Sequence, residues 1–310
     1  MNEKITQIQE ELGKIIKGKK EVTDKILMAI LAKGHVLMDD VPGVGKTTTA
    51  LSFSKLLGLD FKRIQFTPDV VPSDVTGFTM YDKSEGAFKY CPGAVMCNML
   101  LADEINRTSS KTQSALLEVM EEGHVTVDGE THHVPEPFVV LATQNPLGTA
   151  GTQMLPESQL DRFMICVSMG YPDAQSQLEL LRDRQTENPL LRAEQVIFSG
   201  ELLELQKEVR EVYISDSILE YVTELTERTR THALIALGVS PRGALALCRM
   251  TKAAAFLSGR DYVIPEDVRA VFADVCAHRL VLSPKARMAN TSAKELLGEI
   301  LDSVPEPKIG

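Results

Sequence analysis

Five short apolar blocks, each ending in polar or turn residues, occupy the first half of the chain. They are His35–Asp39, Phe61–Phe66, Asn98–Asp103, Phe138–Thr143 and Phe163–Ser168. Helical patterns lie between most of them. Strands that are apolar throughout and alternate with helices are typical of a mainly parallel sheet with helices on both faces. We therefore predict an α/β domain over residues 1–188.

Two stretches interrupt this alternation. Phe78–Tyr90 alternates loosely around Lys83–Gly86, and His124–Val134 alternates around Asp128-Gly129, a dipeptide that favours tight hairpin turns. We predict that both stretches form hairpins inserted into the sheet domain.

The second half has a different pattern, because no strand-like block recurs after about residue 199. Amphipathic helices are predicted instead, and several begin with Ser, Pro or a Ser-Pro pair, as helix N-termini do. They are Glu201–Glu211, Ser215–Thr231, Pro241–Ser258, Pro265–Leu280 and Ser292–Ser303. We predict an all-helical second domain over residues 189–310, with a linker near Glu187–Pro189.

A glycine-rich segment, residues 41–48, directly follows the first predicted strand and leads into a helical run. A strand, a glycine-rich turn and a helix opening with Lys-Thr form the context of a phosphate-binding loop. Backbone N–H groups and the helix N-terminus would hold the phosphates, Lys46 would reach the β- and γ-phosphates, and the Thr47 hydroxyl would ligate Mg²⁺. The candidate nucleotide-binding residues are Pro42, Gly43, Val44, Gly45, Lys46, Thr47 and Thr48.

The segment departs from the strict P-loop pattern at one position. The pattern has glycine six residues before the lysine, where this chain has Asp40. Aspartate tolerates left-handed backbone geometry better than most residues, but a carboxylate beside phosphates would weaken their binding. We therefore expect Asp40→Gly to tighten nucleotide binding. Taken alone, the segment is also compatible with a glycine-rich turn that carries an incidental lysine.

Polar residues end two of the other predicted strands. Asp103 and Glu104 follow an apolar strand, where an acid beside a P-loop would hold Mg²⁺ and its neighbour would polarise an attacking water. Asn145, at the end of the block Leu141–Pro146, could orient the same water. Solvated acids at a strand end, or an Asn-Pro turn, would produce the same local patterns.

The composition argues against several functional classes. Lys plus Arg is 33 and Asp plus Glu is 43, so the net charge of −10 makes nucleic acid an unfavourable partner, and the predicted hairpins add few basic residues. Five cysteines without a CxxC motif indicate buried, reduced thiols in a cytoplasmic protein. The apolar runs are too short for a membrane helix, no export signal is visible, and no motif predicts a transition-metal site.

In combination and order, these motifs resemble the MoxR family of AAA+ ATPases, from about Lys17 to the end of the chain. The P-loop is followed by DEINR at 103–107, ATQNP at 142–146, LPESQLDRF at 155–163 and SPR at 240–242. The resemblance implies an AAA+ P-loop domain with a parallel sheet and inserted hairpins, followed by an all-α lid domain. The two predicted hairpins match the family's helix-2 insert and the insert before its sensor-1 strand.

The resemblance also implies roles for individual residues. Glu104 would be the catalytic base and Asn145 sensor 1. Arg162 looks like an arginine finger that reaches a neighbouring subunit's nucleotide, and it is favoured over Arg107 for that role. Arg242 looks like sensor 2, which would contact the ATP from the side of the cleft opposite the P-loop of the same chain.

Other implied features concern the cofactor and the partners. ATP and Mg²⁺ would be bound, with Thr47 and Asp103 as metal ligands and Gly18 beside the adenine. The family expectation is a homo-oligomeric ring of six subunits with a protein client, often linked to a von Willebrand factor A domain partner and to maturation or metal insertion. Two alternatives stay open: a nucleotide-gated binding module with little hydrolysis, and a nucleic-acid motor.

Overall fold

The computed structural model describes residues 2–145, 155–186 and 188–308. The strands are β1 (Val36–Asp39), β2 (Phe61–Gln65), β3 (Gly77–Asp82), β4 (Ala87–Pro92), β5 (Met99–Asp103), β6 (His124–Val127), β7 (Glu130–His133), β8 (Val139–Gln144), β9 (Ile165–Val167), β10 (Ile235–Leu237) and β11 (Val281–Leu282). A five-stranded parallel sheet has the order β2–β5–β8–β1–β9. Its members are the five predicted strands, so the predicted fold class is confirmed.

Helices cover the sheet and form the second half of the chain. They are α1 (Glu3–Ile15), α2 (Lys20–Leu31), α3 (Lys46–Leu56), α4 (Pro72–Thr76), α5 (Ser110–Glu122), α6 (Glu157–Leu160), α7 (Ala174–Thr186), α8 (Pro189–Arg192), α9 (Ser199–Glu211), α10 (Asp216–Thr231), α11 (Pro241–Leu257), α12 (Pro265–Cys276), α13 (Pro284–Met288) and α14 (Ala293–Ser303). Several N-termini are capped by a side chain that accepts a backbone N–H bond, as the sequence patterns indicate. These caps include Asn2, Ser109, Ser215, Ser240 and Ser292. None of the described helices is both long and apolar enough to cross a membrane.

The sheet is apolar on both faces because successive strand residues point to opposite sides. In β5, Met99 and Leu101 belong to the core that also contains α1, α2 and the lid helices. Leu100 and Ala102 of the same strand belong to a second core beneath α5. This two-sided burial is the reason that the strands read as continuous apolar blocks in the sequence.

Both predicted hairpins are present as antiparallel pairs, β3–β4 and β6–β7. Asp128 and Gly129 have φ angles of 49° and 85°, the left-handed geometry that a two-residue hairpin turn of this type requires. The rings of Tyr90 and His132 stack with centroids 3.8 Å apart, so the two inserted hairpins contact each other.

The helical second half contains one feature that the sequence did not predict. Strands β10 and β11 form a short antiparallel pair within the lid. Their two or three residues are too few to produce a visible alternation. The boundary between residues 188 and 189 stays a prediction, and Glu187 of the predicted linker lies outside the described residues.

His35 lies at the edge where the parallel strands begin and bonds to two elements there. Its Nδ1 accepts the backbone N–H of Val140 at 3.0 Å, and its Nε2–H donates to the carbonyl of Met120, at the end of α5, at 2.9 Å. The ring is therefore held as one neutral tautomer. Burial lowers the pKa of His35 to about 4 from an ordinary value of 6.5.

We expect His35 to make the fold sensitive to acid. Between the two pKa values the unfolded chain binds a proton that the folded chain does not, so stability falls as the pH drops from 6.5 toward 4. At about pH 5 this loss amounts to about 2 kcal/mol. Urea unfolding at about pH 7.5 and pH 5 measures it, with His35→Gln as the comparison. The variant should lose about 2 kcal/mol less over that interval; equal losses would contradict the assignment.

Candidate nucleotide site

The turn over residues 40–45 joins β1 to α3, as the P-loop prediction requires. Gly43 and Gly45 have φ angles of 85° and 95°, a left-handed conformation that favours glycine. A Cβ at either position would meet no atom of the described ranges within 4 Å. The glycines are therefore needed for the backbone path, and the space beside the loop is open to a ligand.

Lys46 opens α3 and lies among acidic groups. Its Nζ donates to the carbonyl oxygen of Asp40 at 2.7 Å, across the turn. Burial lowers the pKa of Lys46, and the nearby carboxylates, led by Asp40 and Asp103, oppose that shift. The ammonium is thus held at the mouth of the loop, where a phosphate oxygen would be a matching anion.

Asp40 turns its carboxylate to a neighbouring segment. The buried carboxylate accepts the backbone N–H groups of Met169 and Gly170 and the hydroxyl of Ser168, just after β9. Charge-assisted bonds to backbone N–H groups are strong and hold a carboxylate in place. The expectation that Asp40 crowds the phosphates therefore lacks support in the structure. The aspartate that stands in place of the P-loop glycine thus holds the end of β9 beside the loop.

We now expect Asp40→Gly to destabilise the chain by about 2 kcal/mol, because it leaves the N–H groups of Met169 and Gly170 without their acceptor. Urea unfolding measures this loss, and calorimetry with ATP measures affinity. Asp69→Gly, at an exposed acid, is the control. Tighter nucleotide binding by Asp40→Gly at unchanged stability would contradict this role.

Asp103 ends β5 with both carboxylate oxygens engaged. Oδ1 accepts from the Thr143 hydroxyl at 2.7 Å, and Oδ2 accepts from Nη2 of Arg63 on β2 at 2.6 Å. The parallel register that pairs Gln65 with Asp103 brings the β2 side chains to this edge. Asp103 was predicted from the sequence but its partners were not, because pairing between strands distant in sequence is not a local signal.

Glu104 follows directly, in a left-handed conformation with φ of 56°. Its N–H donates to the Thr143 hydroxyl at 2.9 Å. Its Oε2 accepts from Nη1 of Arg107 at 2.6 Å and from Nε2 of Gln65 at 3.0 Å. An uncommon backbone angle, one bond from its N–H and two bonds to its carboxylate fix Glu104 at the strand end. Arg107, the other arginine considered for a finger, is thus paired within its own chain.

The oxygen donors at this edge fit Mg²⁺, which prefers hard oxygen ligands and keeps several waters. The Asp103 carboxylate ends β5 and Thr47 lies in the first turn of α3. No group of three or more His, Cys, Asp or Glu residues in the described ranges could hold a metal ion. A magnesium ion here would therefore take its remaining ligands from phosphate and water.

Asn145 follows β8 at the same edge, and its backbone carbonyl accepts from Nδ2 of Asn106 at 3.4 Å. Pro146 of the predicted motif lies outside the described residues. Side-chain oxygens of Asp39, Gln144 and Asn106 are buried and have no hydrogen-bond partner among the described residues. Burial also raises the pKa of Asp39. Such unsatisfied acceptors are costly, and they cluster where the candidate ligand would bind.

Gly18 lies in a left-handed turn, with φ of 66°, between α1 and α2. A Cβ there would come within 2.1 Å of the Ser176 hydroxyl. Lys19 beside it donates to the carbonyl of Tyr171 at 2.7 Å. The glycine allows the N-terminal segment to pack on the chain that leaves β9, at the edge that carries the P-loop.

Arg162 and Arg242 lie together at the opposite edge of the sheet. Both guanidinium groups pair with Glu121 at the end of α5, Arg162 at 3.4 Å. They line one cavity of about 490 Å³ with Lys33, Gly34 and His35 among the other residues. Helix α5 runs 13 residues, about 20 Å, from the edge with Glu104 to this one.

This placement corrects one expectation. The resemblance suggested that Arg242 closes over the nucleotide of its own chain, facing the P-loop across a cleft. Arg242 pairs with Glu121 at the end of α5, about 20 Å along that helix from the edge with Lys46 and Glu104. The reason is topological, since α11 begins beside the segment that leads into β9 rather than beside the P-loop.

The cysteines take no part in this site. All five are free, and burial raises the pKa of Cys97, Cys166 and Cys276 to about 12. Thiols with such pKa values are unreactive at neutral pH. Cys97 and Cys276 are buried as predicted, whereas Cys91, Cys166 and Cys248 are half-buried.

Comparisons with known proteins agree with this geometry. The model of the "ATPase family associated with various cellular activities (AAA)" matches residues 35–165, and that of the "AAA lid domain" matches residues 227–300. The first match covers the P-loop and four of the five sheet strands, and it ends at the first residue of β9. The second covers most of the lid helices.

Individual relatives match nearly the whole chain. YeaC of Bacillus subtilis (strain 168), an uncharacterized protein, is 48% identical, over 96% of this chain and 93% of its own length. Chaperone MoxR1 of Mycobacterium tuberculosis is 39% identical, over 96% of this chain and 81% of its own. A crystal structure of a candidate ATPase from Cytophaga hutchinsonii superposes with a TM-score of 0.92 at 39% identity, covering 98% and 95% of the two chains.

Proposed function

Since this chain belongs to the MoxR family of AAA+ ATPases, we propose that it hydrolyses ATP between adjacent subunits of a ring and uses the reaction to remodel a protein client. The observation that carries this proposal is the separation of its charged groups. Lys46, Asp103 and Glu104 lie at one edge of the sheet, and Arg162 lies at the other. A complete site therefore needs two chains.

Within one chain, the first edge would bind and activate the nucleotide. The N–H groups of residues 42–48 and the ammonium of Lys46 hold the phosphates, while Thr47 and Asp103 hold Mg²⁺, which neutralises phosphate charge. Glu104 accepts the proton of the attacking water, and Asn145 orients that water. Gly18 allows the N-terminal segment to pass beside the adenine.

The neighbouring chain would supply positive charge. Phosphoryl transfer depends on charge neutralisation more than on covalent chemistry. Arg162 and Arg242 share Glu121 as their partner, so a phosphate from the next subunit would replace a carboxylate that both already bind. We therefore assign both arginines to the nucleotide of the adjoining subunit, Arg162 as the finger and Arg242 beside it.

The finer features of this function follow from family membership. We propose a homohexameric ring, a protein client that is matured or receives a metal, and a partner with a von Willebrand factor A domain. A reducing compartment such as the cytoplasm fits five free cysteines. We also propose that residues 1–188 and 189–310 move as separate domains.

Phosphate release at saturating Mg-ATP tests the hydrolysis. We expect measurable turnover by the parent chain and a loss of at least about 100-fold in Lys46→Ala, which removes the cation at the phosphates. Lys111→Ala, at an exposed residue of α5, is the control and should match the parent. ATP binding by calorimetry without phosphate release would instead favour a nucleotide-gated module. The bonds from Arg107 and Gln65 to the Glu104 carboxylate support that alternative, because they engage the group that would accept the proton.

A further inference from the structure

A buried guanidinium lies behind the two arginines. Arg279 follows α12 and is only 4% exposed. Its Nε donates to Oδ1 of Asp161 at 2.8 Å, and its Nη2 donates to the carbonyl of Phe163 at 2.6 Å. Nη1 donates to the carbonyl of Met164 at 3.2 Å. One lid side chain thus binds the residue before Arg162 and the two residues after it.

The same junction includes the start of α11. Ser240 donates its hydroxyl to the other carboxylate oxygen of Asp161 at 2.8 Å, and it also accepts the N–H of Gly243 as the helix cap. Asp161 therefore bonds at once to the lid residues Ser240 and Arg279. Arg242 lies two residues after Ser240, within the first turn of the helix that this cap begins.

Arg279 packs closely against Gly243 in the first turn of α11. A Cβ at position 243 would lie 2.7 Å from Cδ of Arg279 and 3.0 Å from its Nε. The glycine costs the helix about 1 kcal/mol relative to alanine. The close approach of Arg279 to α11 explains why the chain accepts a glycine in the first turn of a long helix.

We infer that Arg279 is a positioning residue that holds Arg162 and Arg242 as one rigid pair, so that the two are presented together to the neighbouring nucleotide. This inference rests on the proposed function. The planar fork of arginine can bind several acceptors in fixed directions, which a lysine ammonium cannot do. A displacement of about 1 Å in a positioning group can cost about 100-fold in rate.

Mixed rings separate this role from a general loss of structure. The Arg279→Gln variant should still bind ATP. It should also hydrolyse ATP when neighbouring Glu104→Gln chains supply Arg162 and Arg242. It should fail, by about 10- to 100-fold, to restore turnover to Arg162→Ala chains, which depend on donated arginines. Arg279→Lys should fail as a donor almost as fully as Arg279→Gln. Arg287→Gln, at an exposed arginine, is the control and should donate normally.

A second readout does not depend on activity. Amide hydrogen exchange over residues 160–165 should be at least about tenfold faster in Arg279→Gln, with α3 unchanged. If the parent shows no turnover, the proposed function fails, and exchange alone then decides this inference. Unchanged exchange in that segment, or full donation to Arg162→Ala chains, overturns it.

Gly243→Ala covers the case in which Arg279→Gln does not fold. It keeps the arginine and favours the helix by propensity, but its methyl group displaces the guanidinium. We expect normal ATP binding, impaired donation and faster exchange over residues 160–165. Normal donation with unchanged exchange would show that the contact does not position the pair.

Discussion

Arg162→Ala should bind ATP like the parent chain and lose about 10³- to 10⁵-fold in turnover, the range seen where a finger arginine is removed. We expect the loss because Arg162 lies at the sheet edge away from Lys46, where we propose that it serves a neighbour's nucleotide. Calorimetry measures the binding, and phosphate release measures the rate. Arg182→Ala, at an exposed arginine of α7, is the control and should leave both unchanged.

Mixing variants decides which chain each arginine serves. Glu104→Gln chains keep Arg162 and Arg242, so adding them in excess should restore turnover to Arg162→Ala chains and, separately, to Arg242→Ala chains. A mixture of Arg162→Ala with Arg242→Ala should stay inactive, because each donor lacks one arginine. Recovery in that last mixture would mean that Arg242 acts within its own chain. Parent-like hydrolysis by Arg162→Ala alone would end the finger assignment.

Glu104→Gln is expected to show the second large effect. The change keeps the shape and the bonds from Gln65 and Arg107 in part, but it removes the group that would accept the proton of the attacking water. Turnover should fall about 10²- to 10⁴-fold while ATP stays bound. Phosphate release and nucleotide retention after rapid desalting measure the two parts.

Glu118→Gln, at an exposed acid of α5, is the control for the loss of one negative charge. It should retain the parent rate. A Glu104→Gln chain that also loses ATP affinity would indicate that Glu104 serves binding rather than proton transfer. A pull-down with this variant in ATP is also the direct route to the protein client.

Local signals in the sequence predicted much of this molecule correctly. The five strands, both hairpins and the lid helices were recoverable because each depends on the period of apolar residues or on turn residues a few positions apart. The glycine-rich turn that leads into α3 was recoverable for the same reason, since Gly43, Gly45 and Lys46 are neighbours in the chain. The contacts of Asp40 could not be predicted, because its partners, Met169 and Gly170, are far away in sequence.

The sequence alone thus determined the fold class, the glycine-rich turn between β1 and α3 and the acids that end β5, because their spacing is set by bonds between near neighbours. Only the tertiary structure decided where the arginines lie, since a parallel sheet collects the ends of its strands at one edge and their beginnings at the other. Lys46 and Glu104 come after their strands, whereas Arg162 comes before one. That difference in order separates the two halves of the proposed site. The buried guanidinium of Arg279 connects the segment around Arg162 to the lid through contacts between residues distant in sequence.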